Sequence, residues 1–473
     1  MNDNKKQLWD TALDNLNEKH TDEAAEAFGK NTQADTVDNG LIMVESDGKK
    51  RKKRRSVIFT VFIVVASILA IAGIVAITSI IIASSKYITK PHDTESSILS
   101  EVEDDKDPDI QDDTVYTPAE DFGCHTNDDG SISITRYYGS AKEIVIPKKI
   151  KGKRVTGIYT LAFYESKLTS VIIPDSVTSI GDGAFFDCDF LTSVTIPDSV
   201  TSIGDGAFFN CDFLTSVTIS DSVTSIGKKA FYRCASIETI TIPDGVTGIG
   251  DCAFHTCINL ESVTIGSNLS SIGEDVFGNC RSLEAINVDS DNAAYTSEDG
   301  VLFNKDITSI IYYPEGKIGE HYDIPAGVRT IGDNAFRSSC LTSITVPDSV
   351  TNIGDDAFSM CYSLTSVNIP EGVTNIGKDA FWNCSSLTSI DIPESVISIG
   401  EEAFHSTSLT SVHIPNLFAI VNASAFDDDV TVTRGSVKSV IILLLCLTVV
   451  VVVTIIVIRR IRGKRMGRII RLK

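Results

Sequence analysis

The chain has 473 residues, 42 % of them hydrophobic and 22 % charged, and this composition excludes a chain that is disordered throughout. Its formal net charge of -22 argues against nucleic acid as a partner, because binding to phosphates requires a cationic face. The charges are unevenly placed: residues 57–436 carry 52 acidic and 21 basic residues, whereas residues 437–473 carry nine basic residues and no acidic one. An acidic middle therefore precedes a basic end.

The N-terminal segment, residues 1–56, carries equal numbers of acidic and basic residues and contains the basic run KKRKKRR at 49–55. We expect it to be a partly disordered cytosolic segment. The next segment, 57–82, has no charged residue, and its length suffices to cross a hydrocarbon core of roughly 30 Å at about 1.5 Å per residue. The sequence thus predicts an uncleaved transmembrane helix at 57–82, followed by an acidic stalk at 83–121.

A repeat of 23 residues organises the middle of the chain. LTSVIIPDSVTSIGDGAFFDCDF (168–190) is followed by LTSVTIPDSVTSIGDGAFFNCDF (191–213), and the period continues to residue 282 and resumes at Leu341. Numbered from the leucine, positions 1, 4, 6, 10, 13, 18 and 21 are apolar. Positions 1, 4 and 6 predict a short strand, LTSVTI, whose Ser and Thr side chains at positions 3 and 5 face outward. Stacked copies would bury the apolar positions in a solenoid with a ladder of parallel strands.

Glycine and proline recur at fixed positions of the repeat. Glycine recurs at position 14, where we expect a tight turn that needs a positive φ. Proline recurs at position 7 and is expected to end the strand, because it has no N–H to donate to the next rung.

The motif L-x-x-V-x-I-P-x-x-V-x-x-I-G-x-x-A-F-x-x-C closely resembles the BspA-type leucine-rich repeat. The resemblance covers about residues 122–426, with an opening repeat at 122–167, repeats at 168–426 and a hairpin insertion near 287–326. It implies a surface-displayed interaction domain and no reaction. The predicted fold class is therefore a leucine-rich-repeat β solenoid, poor in α/β structure, with a parallel strand ladder and two transmembrane helices.

The outward hydroxyls at positions 3 and 5 form the candidate ligand-binding face, since the concave faces of solenoids are frequently binding faces. The alternative is that Ser and Thr stand there only for their fit to a pleated surface. The candidate residues are Ser170, Ser193, Thr195, Ser216, Thr218, Thr239, Thr241, Ser343, Thr345 and Ser366. The partner expected from this face is an extracellular protein or a glycan.

Cysteines and acidic residues recur at fixed positions but predict no chemistry. Position 21 holds seven cysteines, whose parallel Cβ directions favour packed thiols over disulfides. Cys124, Cys252 and Cys340 lie off this ladder, so a disulfide is more plausible among them. Acidic residues at position 8 form either a calcium-binding edge or, more simply, a solvated rim. No catalytic, cofactor or metal-binding motif is present, so we expect a protein that is not an enzyme. Glycosylation sequons of interest occur at Asn383 and Asn422.

The C-terminal end mirrors the N-terminal end. A short stalk at 427–439 precedes a second uncharged run at 440–458, which predicts another transmembrane helix, and a basic cytosolic tail at 459–473 follows. Because Lys and Arg remain on the cytoplasmic side, we expect a cell-membrane protein with two spans, cytoplasmic termini and extracellular repeats. Its function would be recognition or adhesion. A receptor acting through a cytosolic partner and a passive surface coat are the alternatives.

Overall fold

The coordinates are a computed structural model that describes residues 115–435, all within the second of two units of the chain, Glu101–Lys473. This part holds one 3-10 helix, η1 (Ala119–Asp121), and 29 short strands. The strands before the insertion are β1 (Phe122–Thr126), β2 (Ile132–Tyr137), β3 (Glu143–Val145), β4 (Lys149–Ile150), β5 (Lys153–Ile158), β6 (Ser170–Ile172), β7 (Ser179–Ile180), β8 (Ser193–Thr195), β9 (Ser202–Ile203), β10 (Ser216–Thr218), β11 (Ser225–Ile226), β12 (Thr239–Ile242), β13 (Gly248–Ile249), β14 (Ser262–Ile265), β15 (Ser271–Ile272) and β16 (Ala285–Val288).

The remaining strands form the insertion and the repeats that follow it. They are β17 (Tyr295–Glu298), β18 (Val301–Asn304), β19 (Ser309–Tyr312), β20 (His321–Asp323), β21 (Thr330–Ile331), β22 (Ser343–Thr345), β23 (Asn352–Ile353), β24 (Ser366–Val367), β25 (Asn375–Ile376), β26 (Ser398–Ile399), β27 (Ser411–Ile414), β28 (Ile420–Val421) and β29 (Thr431–Arg434). β29 pairs with β27 and lies within the range expected to be the second stalk.

Most repeats contribute two strands, where the sequence predicted one. The first, at positions 3–6, pairs in parallel with the same positions of the next repeat, as in Val171 with Val194. The second, at positions 12 and 13, does likewise, as in Ile180 with Ile203. The second strands form a continuous sheet from β5 to β15, whereas the first strands form shorter sheets, β3-β6-β8-β10 and β12-β14-β16. The predicted β solenoid with a parallel ladder is therefore confirmed.

The apolar positions fill the space between the two strand faces. Phenylalanine at position 18 is almost fully buried in successive repeats, and neighbouring rings stack with centroids 5.1 Å apart for Phe185 and Phe208 and 5.2 Å apart for Phe208 and Phe231. Burying a Phe side chain contributes about 1.5–3 kcal/mol. Each repeat thus buries its apolar edge only because the next repeat covers it.

The hydrophobic core is divided by the insertion. One cluster of buried residues extends from Phe122 to Ile286, also includes Leu302 and Tyr312 of the insertion, and is called here the N-terminal stack. The other extends from Val301 to Ala425 and is called the C-terminal stack. The antiparallel strands β17, β18 and β19 lie between them. Alternation along β18 sends Leu302 into the N-terminal core, while Val301 and Phe303 enter the C-terminal core.

The reason predicted for glycine at position 14 is wrong. None of these glycines has a positive φ; the left-handed residues of the repeats stand at positions 16 and 20 instead, for example Gly183 and Asp187. A Cβ on Gly204 would lie 2.6 Å from the backbone nitrogen of Asp182, and one on Gly227 would lie 2.5 Å from the carbonyl carbon of Gly204. Glycine is required there because successive rungs approach too closely for a side chain.

The prediction of two transmembrane helices is corrected. Among residues 115–435 no helix is long and apolar enough to span a membrane. The helical structure described is the three-residue η1, because the 23-residue period breaks the apolar residues into short strands and turns. The predicted fold class with two spans is therefore wrong. The predicted multi-pass membrane localisation with cytoplasmic termini, which depended on those spans, is wrong as well. The predicted spans 57–82 and 440–458 lie outside the described residues, as do the cytosolic segments.

Candidate functional site

The ten predicted binding residues all lie on first strands. Their side chains alternate with buried ones: Val194 is 3 % exposed, while its neighbours Ser193 and Thr195 are exposed. By strand, the ten are Ser170 in β6, Ser193 and Thr195 in β8, Ser216 and Thr218 in β10, Thr239 and Thr241 in β12, Ser343 and Thr345 in β22, and Ser366 in β24. The structure therefore places these residues on the outward faces of three short first-strand sheets, which together are called here the hydroxyl face.

Hydroxyls at other positions of the repeat serve the fold. At position 2, the hydroxyl of Thr215 donates to the carbonyl of Thr192, 3.0 Å away in the preceding rung. At position 11, the hydroxyl of Thr224 donates to the carbonyl of Thr201, also at 3.0 Å. The same bond recurs along both ladders and ties each rung to the one before it. These threonines are structural, and the 23-residue periodicity alone did not distinguish them from those at positions 3 and 5.

The hydroxyls of the N-terminal part of the hydroxyl face are different. Within residues 115–435 no hydrogen bond engages the side-chain oxygens of the predicted residues on β6, β8, β10 and β12. In the C-terminal stack, by contrast, the imidazole of His321 contacts the hydroxyl of Ser343 at 2.8 Å and that of Thr345 at 3.2 Å. The free hydroxyls can donate to and accept from a ligand without losing an internal bond.

A depression interrupts the hydroxyl face beside β16. Its volume is about 510 Å³, and its lining includes Glu284, Asn287, Ser297 and Ile318. It lies where the hairpin β17–β18 meets the end of the first-strand sheet. The ammonium of Lys317 closes one side by contacting the carboxylate of Asp299 at 3.0 Å. The depression is open and polar, so it extends the hydroxyl face and offers no enclosed catalytic pocket.

The cysteine ladder is structural. All ten described cysteines are free, including Cys124, Cys252 and Cys340. Each ladder thiol reaches the carbonyl of the position-18 phenylalanine in the preceding rung, as Cys234 does with Phe208 at 3.1 Å. Burial raises the pKa of the five ladder thiols of the N-terminal stack, as for Cys257. A thiol with a raised pKa is a poor nucleophile, because the thiolate is the reactive form.

Acidic residues bridge the rungs and assemble no ion site. Within the described part of the chain, no group of three or more His, Cys, Asp or Glu side chains is arranged to hold a metal ion. At position 8, Asp198 accepts from the hydroxyl of Ser220 at 2.8 Å. At position 15, which the sequence reasoning overlooked, the carboxylate of Asp205 accepts from the backbone N–H of Lys228 at 2.7 Å. Recurrent Asp at position 15 was the available signal.

The two sequons differ in accessibility. Asn422 is exposed, and its side-chain oxygen accepts from the backbone N–H of Ser424 at 3.1 Å. Asn383 is half-buried with a left-handed φ of 59°. Asn422 is thus the more open of the two positions; glycosylation at either stays a prediction.

Two ladders of parallel strands, with a column of stacked and buried phenylalanine rings at position 18, define a leucine-rich-repeat solenoid. The sequence profile described as BspA type leucine rich repeat region matches six copies, over residues 156–284 and 305–433. The chain belongs to this family.

Solved structures include similar solenoids. A leucine-rich cell surface protein from Faecalibacterium prausnitzii A2-165 is 32 % identical, with 69 % of this chain and 96 % of that chain covered and a TM-score of 0.53. The pneumococcal vaccine antigen PcpA is 24 % identical, with coverage of 66 % and 72 % and a TM-score of 0.48. A leucine-rich repeat protein from Eubacterium ventriosum ATCC 27560 is 24 % identical, with coverage of 61 % and 93 % and a TM-score of 0.39. A search of curated proteins returned no match.

Proposed function

We propose that this protein is a recognition protein that acts at the cell surface and binds a protein ligand through the hydroxyl face of its N-terminal stack. The observation that carries the proposal is the difference between equivalent hydroxyls. Those at positions 2 and 11 donate to the preceding rung, whereas those at positions 3 and 5 of β8, β10 and β12 are exposed and form no hydrogen bond within the described residues. Strand propensity alone accounts for Ser and Thr on a pleated surface, but not for a whole ladder left free for intermolecular hydrogen bonds.

The family and the character of the buried groups support the same proposal. The F. prausnitzii relative is described as a cell surface protein. Leucine-rich repeats present an extended surface whose area, rather than an enclosed pocket, provides the contacts. The proposal includes no reaction: the ladder thiols of the N-terminal stack are buried with raised pKa values, and the described cavity beside β16 is open.

The test is a binding screen with the full-length protein against extracellular protein and glycan arrays, followed by saturation binding of each hit. We expect a saturable protein ligand. The double variant Thr195→Arg/Thr218→Arg places two bulky cations on the hydroxyl face and should weaken binding at least about tenfold. Its matched control, Ser202→Arg/Ser225→Arg, places the same two cations in the neighbouring second strands β9 and β11, at hydroxyls that form no bond to the preceding rung within the described residues, and should leave affinity within about twofold.

Three results would contradict the proposal. A passive coat component would give no saturable ligand in either array. A glycan as the sole saturable hit would refute the protein ligand. Equal losses of affinity in both double variants would show that the hydroxyl face is not the binding surface.

A further inference from the structure

Two adjacent repeats carry an exposed aromatic ring where other repeats carry a short polar residue. Position 23 is serine or asparagine in most repeats, but it is phenylalanine at Phe190 and Phe213. These side chains are 50 % and 58 % exposed. Successive rungs of a parallel ladder are about 5 Å apart, so the two rings belong to a single patch. The repeat folds with Ser236 at the same position, and the fold therefore does not require phenylalanine there.

The two rings also lack the contacts that the other repeat phenylalanines make. At positions 18 and 19, ring stacks with ring from rung to rung, as Phe186 does with Phe209 at 4.7 Å. Within residues 115–435, neither Phe190 nor Phe213 forms a ring–ring contact. An exposed apolar patch without an internal role is typical of an interaction surface.

The patch is acidic. An aspartate precedes each ring, Asp189 before Phe190 and Asp212 before Phe213. Burial, together with the like charge of nearby Asp189, raises the pKa of Asp187. Arg233 balances part of this charge, with its Nε 3.7 Å from Asp212 Oδ1. Lys167 is opposite Phe190 in the preceding rung, by the register that pairs Ser170 with Ser193, so three carboxylates stand against two cations and the patch keeps a negative excess.

Rings and carboxylates together select a cationic partner. A guanidinium or ammonium is attracted to the face of an aromatic ring, and the same group pairs with a neighbouring carboxylate. A neutral glycan could stack on the rings but would gain nothing from the negative excess. The charge therefore favours a basic polypeptide.

We propose that the aromatic–acidic patch formed by Asp189, Phe190, Asp212 and Phe213 binds an arginine- or lysine-rich segment of a partner protein. The patch lies directly before β8 and β10, whose outward serines belong to the hydroxyl face. The inference rests on the proposed function and adds the chemistry of the partner. A protein ligand that covers the hydroxyl face would also place a basic segment on the patch beside that face.

The test uses the full-length protein and a fluorescently labelled peptide of alternating arginine and serine, with binding measured by anisotropy. We expect Phe190→Ser/Phe213→Ser to weaken binding at least about tenfold. These substitutions introduce the residue type that other repeats carry at position 23, so the variant should fold. Far-UV circular dichroism checks its folding. Asp189→Asn/Asp212→Asn should weaken binding and flatten its dependence on salt between about 50 and about 200 mM.

The matched control is Asp175→Asn/Asp198→Asn, which removes the same two charges from position 8 of the same repeats. It should leave the dissociation constant of the peptide within about twofold. Equal weakening by both Asp→Asn variants would show general attraction to an acidic protein and would overturn the proposal. So would peptide affinity that does not change in Phe190→Ser/Phe213→Ser.

A parallel titration with chitohexaose identifies the glycan alternative. Ring-dependent binding of this neutral sugar without ring-dependent binding of the peptide would refute the basic partner. The two proposals can fail separately. A protein ligand lost in Thr195→Arg/Thr218→Arg but retained in Phe190→Ser/Phe213→Ser would leave the hydroxyl face as the binding surface and remove the aromatic–acidic patch from it.

Discussion

The N-terminal and C-terminal stacks are built from the same repeat but differ in what lines their cores and faces. The N-terminal stack has five ladder cysteines and a second ring ladder through Phe209, Tyr232 and His255. The C-terminal stack has two ladder cysteines, and Thr407, at the cysteine position of a later repeat, donates its hydroxyl to the carbonyl of Phe404 in its own rung at 3.0 Å. The cysteine position thus accepts a threonine whose hydrogen bond stays within its own rung, so the bond to the preceding rung is not required in every repeat.

Strands β17, β18 and β19, together called here the seam, lie between the two stacks. They interrupt the solenoid without exposing either core. Tyr312 faces the N-terminal core and donates its hydroxyl to the carbonyl of Phe277 at 2.7 Å. Its neighbour Tyr313 faces the other core and stacks on Phe336 with centroids 5.2 Å apart. Because successive strand residues point to opposite sides, a two-residue step suffices to supply an aromatic cap to each stack.

The largest expected effect tests whether the seam couples the two stacks. Phe231→Ala in the N-terminal core and Phe358→Ala in the C-terminal core should each cost about 3–5 kcal/mol of unfolding free energy, through lost burial and a cavity. Trp382 reports on the C-terminal stack by fluorescence in a Trp9→Phe background. Because the hairpin belongs to both cores, Phe231→Ala should shift the Trp382 transition as much as the circular dichroism transition. An unshifted Trp382 transition would mean that the stacks unfold independently.

The next effect concerns Glu315, a buried carboxylate at the seam. Its Oε1 accepts from the backbone N–H of Asn279 at 2.6 Å, while its Oε2 has no hydrogen-bond partner within the described residues. Burial is the main cause that raises the pKa of Glu315 to about 7; Asp275 acts in the same direction, while the hydrogen bond from Asn279 and the charges of Arg337 and Arg281 act against it. The folded protein therefore favours the protonated acid.

Because the folded-state pKa of Glu315 is above its unfolded value, its contribution to stability is fully present below about pH 4.5 and is lost as pH rises through about 7. We expect this group alone to lower the free energy of unfolding by about 2–3 kcal/mol between about pH 5 and about pH 8. Glu315→Gln should remove that part of the slope and make the variant the more stable protein at the higher pH. Denaturant titrations at a series of pH values measure it, and parallel curves for both proteins would contradict it.

A smaller effect is expected from the thiol ladder. Cys234→Ala removes the buried donor to Phe208 and should destabilise the N-terminal stack by about 1–2 kcal/mol. Cys234→Ser keeps a donor and should recover part of the loss. The corresponding change in the other stack, Cys361→Ala, should cost a similar amount, because that thiol meets the carbonyl of Phe336 at 3.0 Å. Thermal unfolding compares the variants; no loss in Cys234→Ala would show that the thiol contributes only volume.

The smallest effect separates structural from free hydroxyls. Thr215→Ala removes a bond between rungs and should cost about 0.5 kcal/mol, whereas Ser216→Ala removes an unengaged hydroxyl and should leave the free energy of unfolding unchanged. The order should reverse for ligand affinity, with Ser216→Ala giving the greater loss. The same order in both measurements would remove the distinction on which the hydroxyl face rests.

Much of this architecture could be predicted because the repeat forces it. Apolar residues at fixed positions, with Leu191, Val194 and Phe208 as one set, can be buried only by stacking copies. The outward direction of Ser193 and Thr195 follows from strand alternation. The two membrane spans were inferred from segments outside the described residues, and the described part contains no spanning helix.

The repeat pattern was enough to predict the solenoid, its period and the residues on its outward face, because a recurring apolar edge is buried by stacking the copies. Which hydroxyls remain free, why Gly204 must be glycine and where the core divides became clear only from the folded chain. Those outcomes depend on contacts between residues about one full repeat apart. A bond from Thr215 to Thr192, or a backbone nitrogen 2.6 Å from the site of a missing Cβ, exists only once the rungs are stacked.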